Sequence, residues 1–170
     1  MQLQLAVGRV EWVHDFLENT RTKIDGDAHG LAIQYNEAVL AFFEGRQKDC
    51  FLGMERVLRD FKEDLYYVID ARVYQLMALY EMGLEEDRFE EFEARNNALR
   101  VFLVRENRVS ELFRERYQNL VKQFRRLHGI RQERPDQRRL LATRYIHSLT
   151  KIKPASNRRW FQRQAKAFLE

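Results

Sequence analysis

Two glycines 38 residues apart constrain this chain more than any other feature. The stretch "YNEAVLAFFEGRQKDC" (35–50) runs apolar up to Gly45 and then resumes, and "VYQLMALYEMGLEEDRF" (73–89) does the same around Gly83. Superposing the glycines pairs Ala38 with Leu76, Ala41 with Leu79, Phe42 with Tyr80, Phe51 with Phe89 and Met54 with Phe92. Each copy reads as a helix, a glycine turn and a second helix. A helix pair of this size cannot bury its apolar face alone, so such pairs stack side by side. A compact helical bundle is the plainer arrangement with the same apolar spacing.

The rest of the chain offers little to build a sheet from. Seven glycines and two prolines among 170 residues are too few to punctuate many short strands, and the long charged, Leu- and Ala-rich segments favour helix. At 45% hydrophobic and 33% charged residues, the composition is that of a folded chain rather than a disordered one. The expected class is all-α, with eight antiparallel helices: Val7–Ile24, Gly30–Glu44, Gln47–Phe61, Tyr66–Met82, Glu85–Val104, Ser110–Gly129, about 135–150, and a short last one opened by Pro154 and Ser156. Ser110 is the expected N-cap of the sixth helix and Pro135 the opening residue of the seventh.

The residues of the two copies resemble tetratricopeptide repeats. Residues 32–64 carry small Ala38 where helices pack closely, Gly45 at the turn, Cys50 at a second small position, then Met54 and Val57. Residues 70–102 keep Tyr80 and Gly83 but place Leu76 and Arg88 at the two small positions. More broadly, "YNEAVLAFFEG", "YYVIDARVYQLMALYEMG", "RVSELFRERYQNLVKQFRRL" and "RRWFQRQAKAFLE" resemble the C-terminal region of long bacterial tetratricopeptide-like proteins. That resemblance implies a short right-handed α-α solenoid forming one helical-repeat domain over 1–170, with units at 32–64 and 70–102 and basic capping helices at 108–170. It also implies further repeats ahead of residue 1, and a scaffold or binding role with no activity to transfer.

Motifs for chemistry are missing. "DGDAHG" places Asp25, Asp27 and His29 like the first ligands of a calcium loop, but Ile33 and Asn36 stand where the later ligands belong. His14, His29, His128 and His147 fit no zinc pattern, and Cys50 has no base beside it in sequence. The acids of "EEDRFEEFE" flank Phe89 and Phe92, which define the inward stripe, and so belong to the wet face. No phosphate loop or nucleophile elbow occurs. The expectation is a protein that is not an enzyme and takes no metal or other cofactor. The longest apolar run, Ala38 to Phe43, is far short of the ~20 residues that span a bilayer, so no membrane span is expected. One cysteine and the lack of a basic, apolar leader point to the cytoplasm.

Surfaces are what remain. In stacked pairs the first helix of each lines the concave side, which makes Tyr35, Asn36, Val39, Phe43, Tyr74, Met77 and Glu81 the candidate lining of a groove for a peptide or protein partner. The charge is sharply divided. Residues 1–99 carry 11 Lys and Arg against 20 Asp and Glu, a net of −9, whereas residues 100–170 carry 19 against 6, a net of +13. Arg125, Arg126, Arg134, Arg138, Arg139, Arg158 and Arg159 are therefore the candidate contacts of an alternative function, a nucleic-acid-binding helical module. The plainer account is that these arginines answer the acidic half or form a solvated face.

Overall fold

A computed structural model of the chain describes residues 10–21, 27–61, 63–83 and 86–170. Among the described residues there are eight α-helices and no strand: α1 (Val10–Arg21), α2 (Asp27–Phe43), α3 (Gln47–Asp60), α4 (Leu65–Glu81), α5 (Glu86–Arg105), α6 (Glu111–Gln132), α7 (Pro135–Leu149) and α8 (Arg158–Lys166). The chain divides into two compact units, residues 1–95 and 96–170, with the division falling inside α5. The sequence reads as one domain over 1–170. No glycine, proline or polar linker marks the division.

In unit 1, successive helices pack on one another, α1 on α2, α2 on α3 and α3 on α4, and α2 also reaches α4. The 38-residue echo is visible in the backbone. α2 and α4 end at equivalent positions, Phe43 and Glu81, and Gly45 and Gly83 follow in the left-handed region at φ 77° and 91°. Only glycine adopts that conformation without steric cost, which is why it punctuates both copies. At the first turn the Gly45 N–H donates to Phe42 O (3.2 Å) and the Arg46 N–H to Ala41 O (2.9 Å), closing the helix end. At the second, Gly83 N–H donates to Tyr80 O (3.4 Å).

Side chains keep the same register. Ala38 and Leu76, Ala41 and Leu79, Phe42 and Tyr80, and Met54 and Phe92 are all buried, while Phe51 and Phe89 are both half-buried. Cys50 is fully buried as well. Its partner in the echo, Arg88, is half-buried and donates to Met82 O (2.8 Å) and Gly83 O (3.5 Å), capping the turn of its own copy. In the first copy Gln47 caps instead, its Nε2 donating to Phe42 O (3.3 Å). The departure of residue 88 from the small type thus has a local reason.

α3 meets α2 through its smallest residue. A Cβ built on Gly53 would lie 2.6 Å from Ala38 Cβ, so glycine here permits an approach that alanine does not. Asp64 opens α4, its carboxylate accepting from the N–H groups of Tyr66 (3.0 Å) and Tyr67 (3.3 Å). All eight residues from Val73 to Tyr80 are buried, so α4 is surrounded rather than half-wet. Arg95 ties three helices together. Its Nη2 pairs with Glu55 (2.9 Å) on α3, its Nη1 donates to Gln75 Oε1 (3.0 Å) on α4, its Nε donates to Glu91 (2.9 Å), and the guanidinium lies 4.6 Å from the Phe51 ring centroid.

Unit 2 packs α7 and α8 on α6 and on each other. Phe124, Trp160 and Phe161 form an aromatic core, with edge-on ring pairs 5.0–5.5 Å apart. Ser110 caps α6, its Oγ accepting from the Phe113 N–H (3.4 Å), and Pro135 opens α7, both as the sequence predicts. Three boundaries differ by more than one residue among the described residues. α2 starts at Asp27, ahead of Gly30, whose place inside the helix shows that a glycine need not mark a helix start. α6 runs through Gly129 to Gln132 because Ile130 continues its buried stripe, and it stops ahead of Arg134, whose backbone Pro135 forces to an extended conformation. α8 starts at Arg158, not near Pro154, because Asn157 is left-handed (φ 52°) and breaks the helix direction.

Candidate functional site

The residues that the sequence places on an open groove are mostly interior. Tyr35, Val39, Tyr74 and Met77 are buried; Asn36 and Glu81 are half-buried; and of the seven only Phe43 is exposed. This corrects the expected lining. The Tyr35 hydroxyl donates to Asp70 Oδ2 (3.2 Å), and its ring meets Tyr67 and Tyr74 edge-on at 4.8 and 6.5 Å between centroids. Phe42 packs edge-on against Tyr74 at 5.5 Å. These aromatics join α2 to α4 as core. Burial first, then the charge of Asp70, pushes the Tyr74 hydroxyl well above the usual tyrosine range, so it stays protonated. Glu81 accepts from Gln47 Nε2, a link between the two copies rather than a free carboxylate.

The open groove of unit 1 lies one helix earlier. Between α1, α2 and α3 there is a cleft of about 410 Å³. Its floor is Leu17, Ala38, Leu40, Ala41 and Gly53, and Leu52 lines it from an exposed position. Around these stand His14, Glu18, Gln34, Glu37, Arg46, Asp49 and Arg56. Arg46 is held at the turn by Glu44 (2.5 Å) and Asp49 (2.8 Å), so its charge is answered within the rim. α1 has two faces: Val13 and Leu17 turn inward, while Trp12 and Phe16 are exposed and stacked on each other, with centroids 5.4 Å apart. Sequence reasoning missed the cleft because it depends on small side chains, Ala38, Ala41 and Gly53. Those residues look the same whether a position is packed or left open. The one available signal was "CFLGM", a glycine inside an otherwise regular helical stripe.

Candidate chemical groups behave as packing. Cys50 lies inside the α2–α3–α4 core, and burial, with a smaller push from Glu81, raises its thiol to about 12, so it is no nucleophile at neutral pH. Among the described residues no cluster of three or more His, Cys, Asp or Glu is arranged to hold a metal. Asp25, the first residue of the calcium-like stretch, lies outside the described residues, as do the side chains of Asp27 and His29. Among the described residues no helix is long and apolar enough to cross a membrane.

The candidate arginines of unit 2 fall into two groups. Four are engaged. Arg126 donates to Gln123 Oε1 (3.4 Å) and Ser148 Oγ (3.1 Å) and lies over the Tyr145 ring. Arg138 donates to Glu133 O (2.9 Å) and lies over Phe168; Arg139 donates to Glu170 O (3.4 Å); and half-buried Arg158 donates to Ile152 O (2.8 Å). Arg125, Arg134 and Arg159 are exposed, the first on α6, the second ahead of α7 and the third on α8. At the α5–α6 turn the Arg108 side chain and N–H hold the Glu106 carboxyl at about 2.

Set against known proteins, the chain matches no family model, no curated protein and no solved structure.

Proposed function

We propose that this protein is a non-catalytic helical-repeat scaffold of tetratricopeptide-like type, which holds a segment of a protein partner in the cleft between α1, α2 and α3. One observation carries the reading: a cleft of about 410 Å³ opens onto the small-residue seam of Ala38, Ala41 and Gly53. That volume lies in the range of specific binding sites, and its apolar floor with a charged rim suits one or two apolar side chains of a peptide. Unit 1 carries a net charge of −9, and Arg46 is already matched by Glu44 and Asp49, so the partner segment has basic residues beside its apolar anchor. The two glycine-turn copies, with matched burial, support the repeat reading.

The test replaces Leu52 with a photo-crosslinking amino acid in the full chain and maps the peptide it captures in cells. A synthetic copy of that peptide then binds the native protein at least tenfold more tightly than it binds Leu52→Glu. Equal binding to both proteins refutes the cleft as the site.

A further inference from the structure

The C-terminal helix divides cleanly. Trp160, Phe161 and Ala165 are buried in unit 2, whereas Arg159, Arg163 and Lys166 are exposed along the opposite side. At 1.5 Å per residue these three cations span about 10 Å of one helix face. They line a shallow hollow with Gln162, in which Glu170 is the one acid. Arg139, exposed on α7, donates to the backbone oxygen of that same Glu170 and so brings a fourth cation to the rim. Unit 2 as a whole carries a net charge of +13.

We infer that this face of α8, extended by Arg139, binds the phosphate backbone of duplex nucleic acid without reading its sequence. The partner follows from what accompanies the charge. Protein interfaces take most of their energy from large apolar or aromatic anchors at the centre, and the apolar lining of this hollow is small Ala167 alone. A membrane surface needs an apolar helix face to insert, and that face of α8 is consumed by the core. Single strands are held by exposed aromatic platforms, yet Trp160, Phe161, Phe124 and Tyr145 are all buried. Phosphates need only well-placed cations, and arginine supplies them in a planar fork. This surface lies outside the cleft of unit 1 and does not depend on it.

The experiment measures binding of a labelled mixed-sequence DNA duplex, and of one of its single strands, to the full chain across a salt series. Four phosphate contacts give a slope of log K against log salt of about −3.6, since each contributes about −0.9. The triple variant Arg159→Gln, Arg163→Gln, Lys166→Gln reduces that slope to about −1 and weakens duplex binding at low salt at least tenfold. A second triple variant, Arg105→Gln, Lys122→Gln, Arg144→Gln, removes equal charge from exposed positions elsewhere in unit 2 and stays within about threefold of the native protein. Circular dichroism confirms that both variants are folded. Equal losses in the two variants, tighter binding of the single strand, or preference for vesicles of anionic lipid over duplex would each overturn the assignment.

Discussion

At Gly53 two preferences oppose each other. Alanine is the better helix former by about 1 kcal/mol, so an exposed Gly53→Ala would stabilise α3. Here the added methyl would sit 2.6 Å from Ala38 Cβ and 3.4 Å from Ala38 Cα, atoms carried on a helix backbone and unable to rotate away. Overpacking costs of about 1–3 kcal/mol exceed the propensity gain. Gly53→Ala is therefore expected to lower the urea midpoint, and Ala38→Gly in the same chain to recover part of the loss. A stabilised single variant would show that α2 and α3 yield more easily than their packing indicates. At this scale the sequence was informative about the interior and poor about the groove. Ala38, Cys50, Met54, Leu76, Leu79 and Phe92 are buried as their spacing predicts. Tyr35, Val39, Tyr74 and Met77 read as groove lining because the first helix of each stacked pair is expected on the concave side, yet all four are buried. α4 is buried on every side from Val73 to Tyr80, with Gln75 its one amide there, and spacing cannot choose an open face on such a helix.

Among the elements, the turns after α2 and α4 make a matched pair for experiment. Nothing lies within 4 Å of a Cβ at Gly45 or Gly83, so any cost of alanine comes from the left-handed backbone alone. Each of Gly45→Ala and Gly83→Ala is expected to destabilise by about 1–2 kcal/mol, by thermal or urea unfolding, with asparagine costing less at both. The α5–α6 turn gives a pH dependence. With Glu106 held at about 2 against a usual value of 4.5, its pairing with Arg108 contributes stability above 4.5. That contribution is lost as pH falls from 4.5 toward 2. Glu106→Gln should flatten the acid dependence of the unfolding midpoint in this window and leave the slope unchanged at neutral pH. Helix ends were legible where a residue's chemistry is decisive, as at Ser110 and Pro135. They were not legible where context decides: Gly129 reads as a stop but is absorbed by Ile130, and left-handed Asn157 delays to Arg158 the helix that Pro154 and Ser156 are expected to open.

For the whole molecule, the charge division and the structural division coincide. No charged residue lies between 96 and 99, so units 1 and 2 hold the full −9 and +13. The charge break was plain in the sequence, but the unit boundary was not, because it falls inside an uninterrupted helix with no linker composition to mark it. A net charge of +13 over 75 residues repels itself. At physiological ionic strength exposed charges are screened over about 8 Å, so added salt relieves that repulsion. The thermal midpoint of the full chain should rise between low-salt and physiological buffer. A fall would mean that attractive pairs such as Arg108–Glu106 outweigh the repulsion.

The bonds of Arg95 also bear on the order of events in time. Its pair with Glu91 forms within a helical turn, but Gln75 and Glu55 lie 20 and 40 residues back along the chain. The guanidinium can complete its set only when α3, α4 and α5 are already side by side, so it is expected to act as a latch set after the rate-limiting step of folding. Arg95→Met keeps much of the stem packing and removes the latch. In stopped-flow measurements it should leave the refolding rate nearly unchanged and accelerate unfolding, and a variant that mainly slowed refolding would instead place Arg95 in the nucleus.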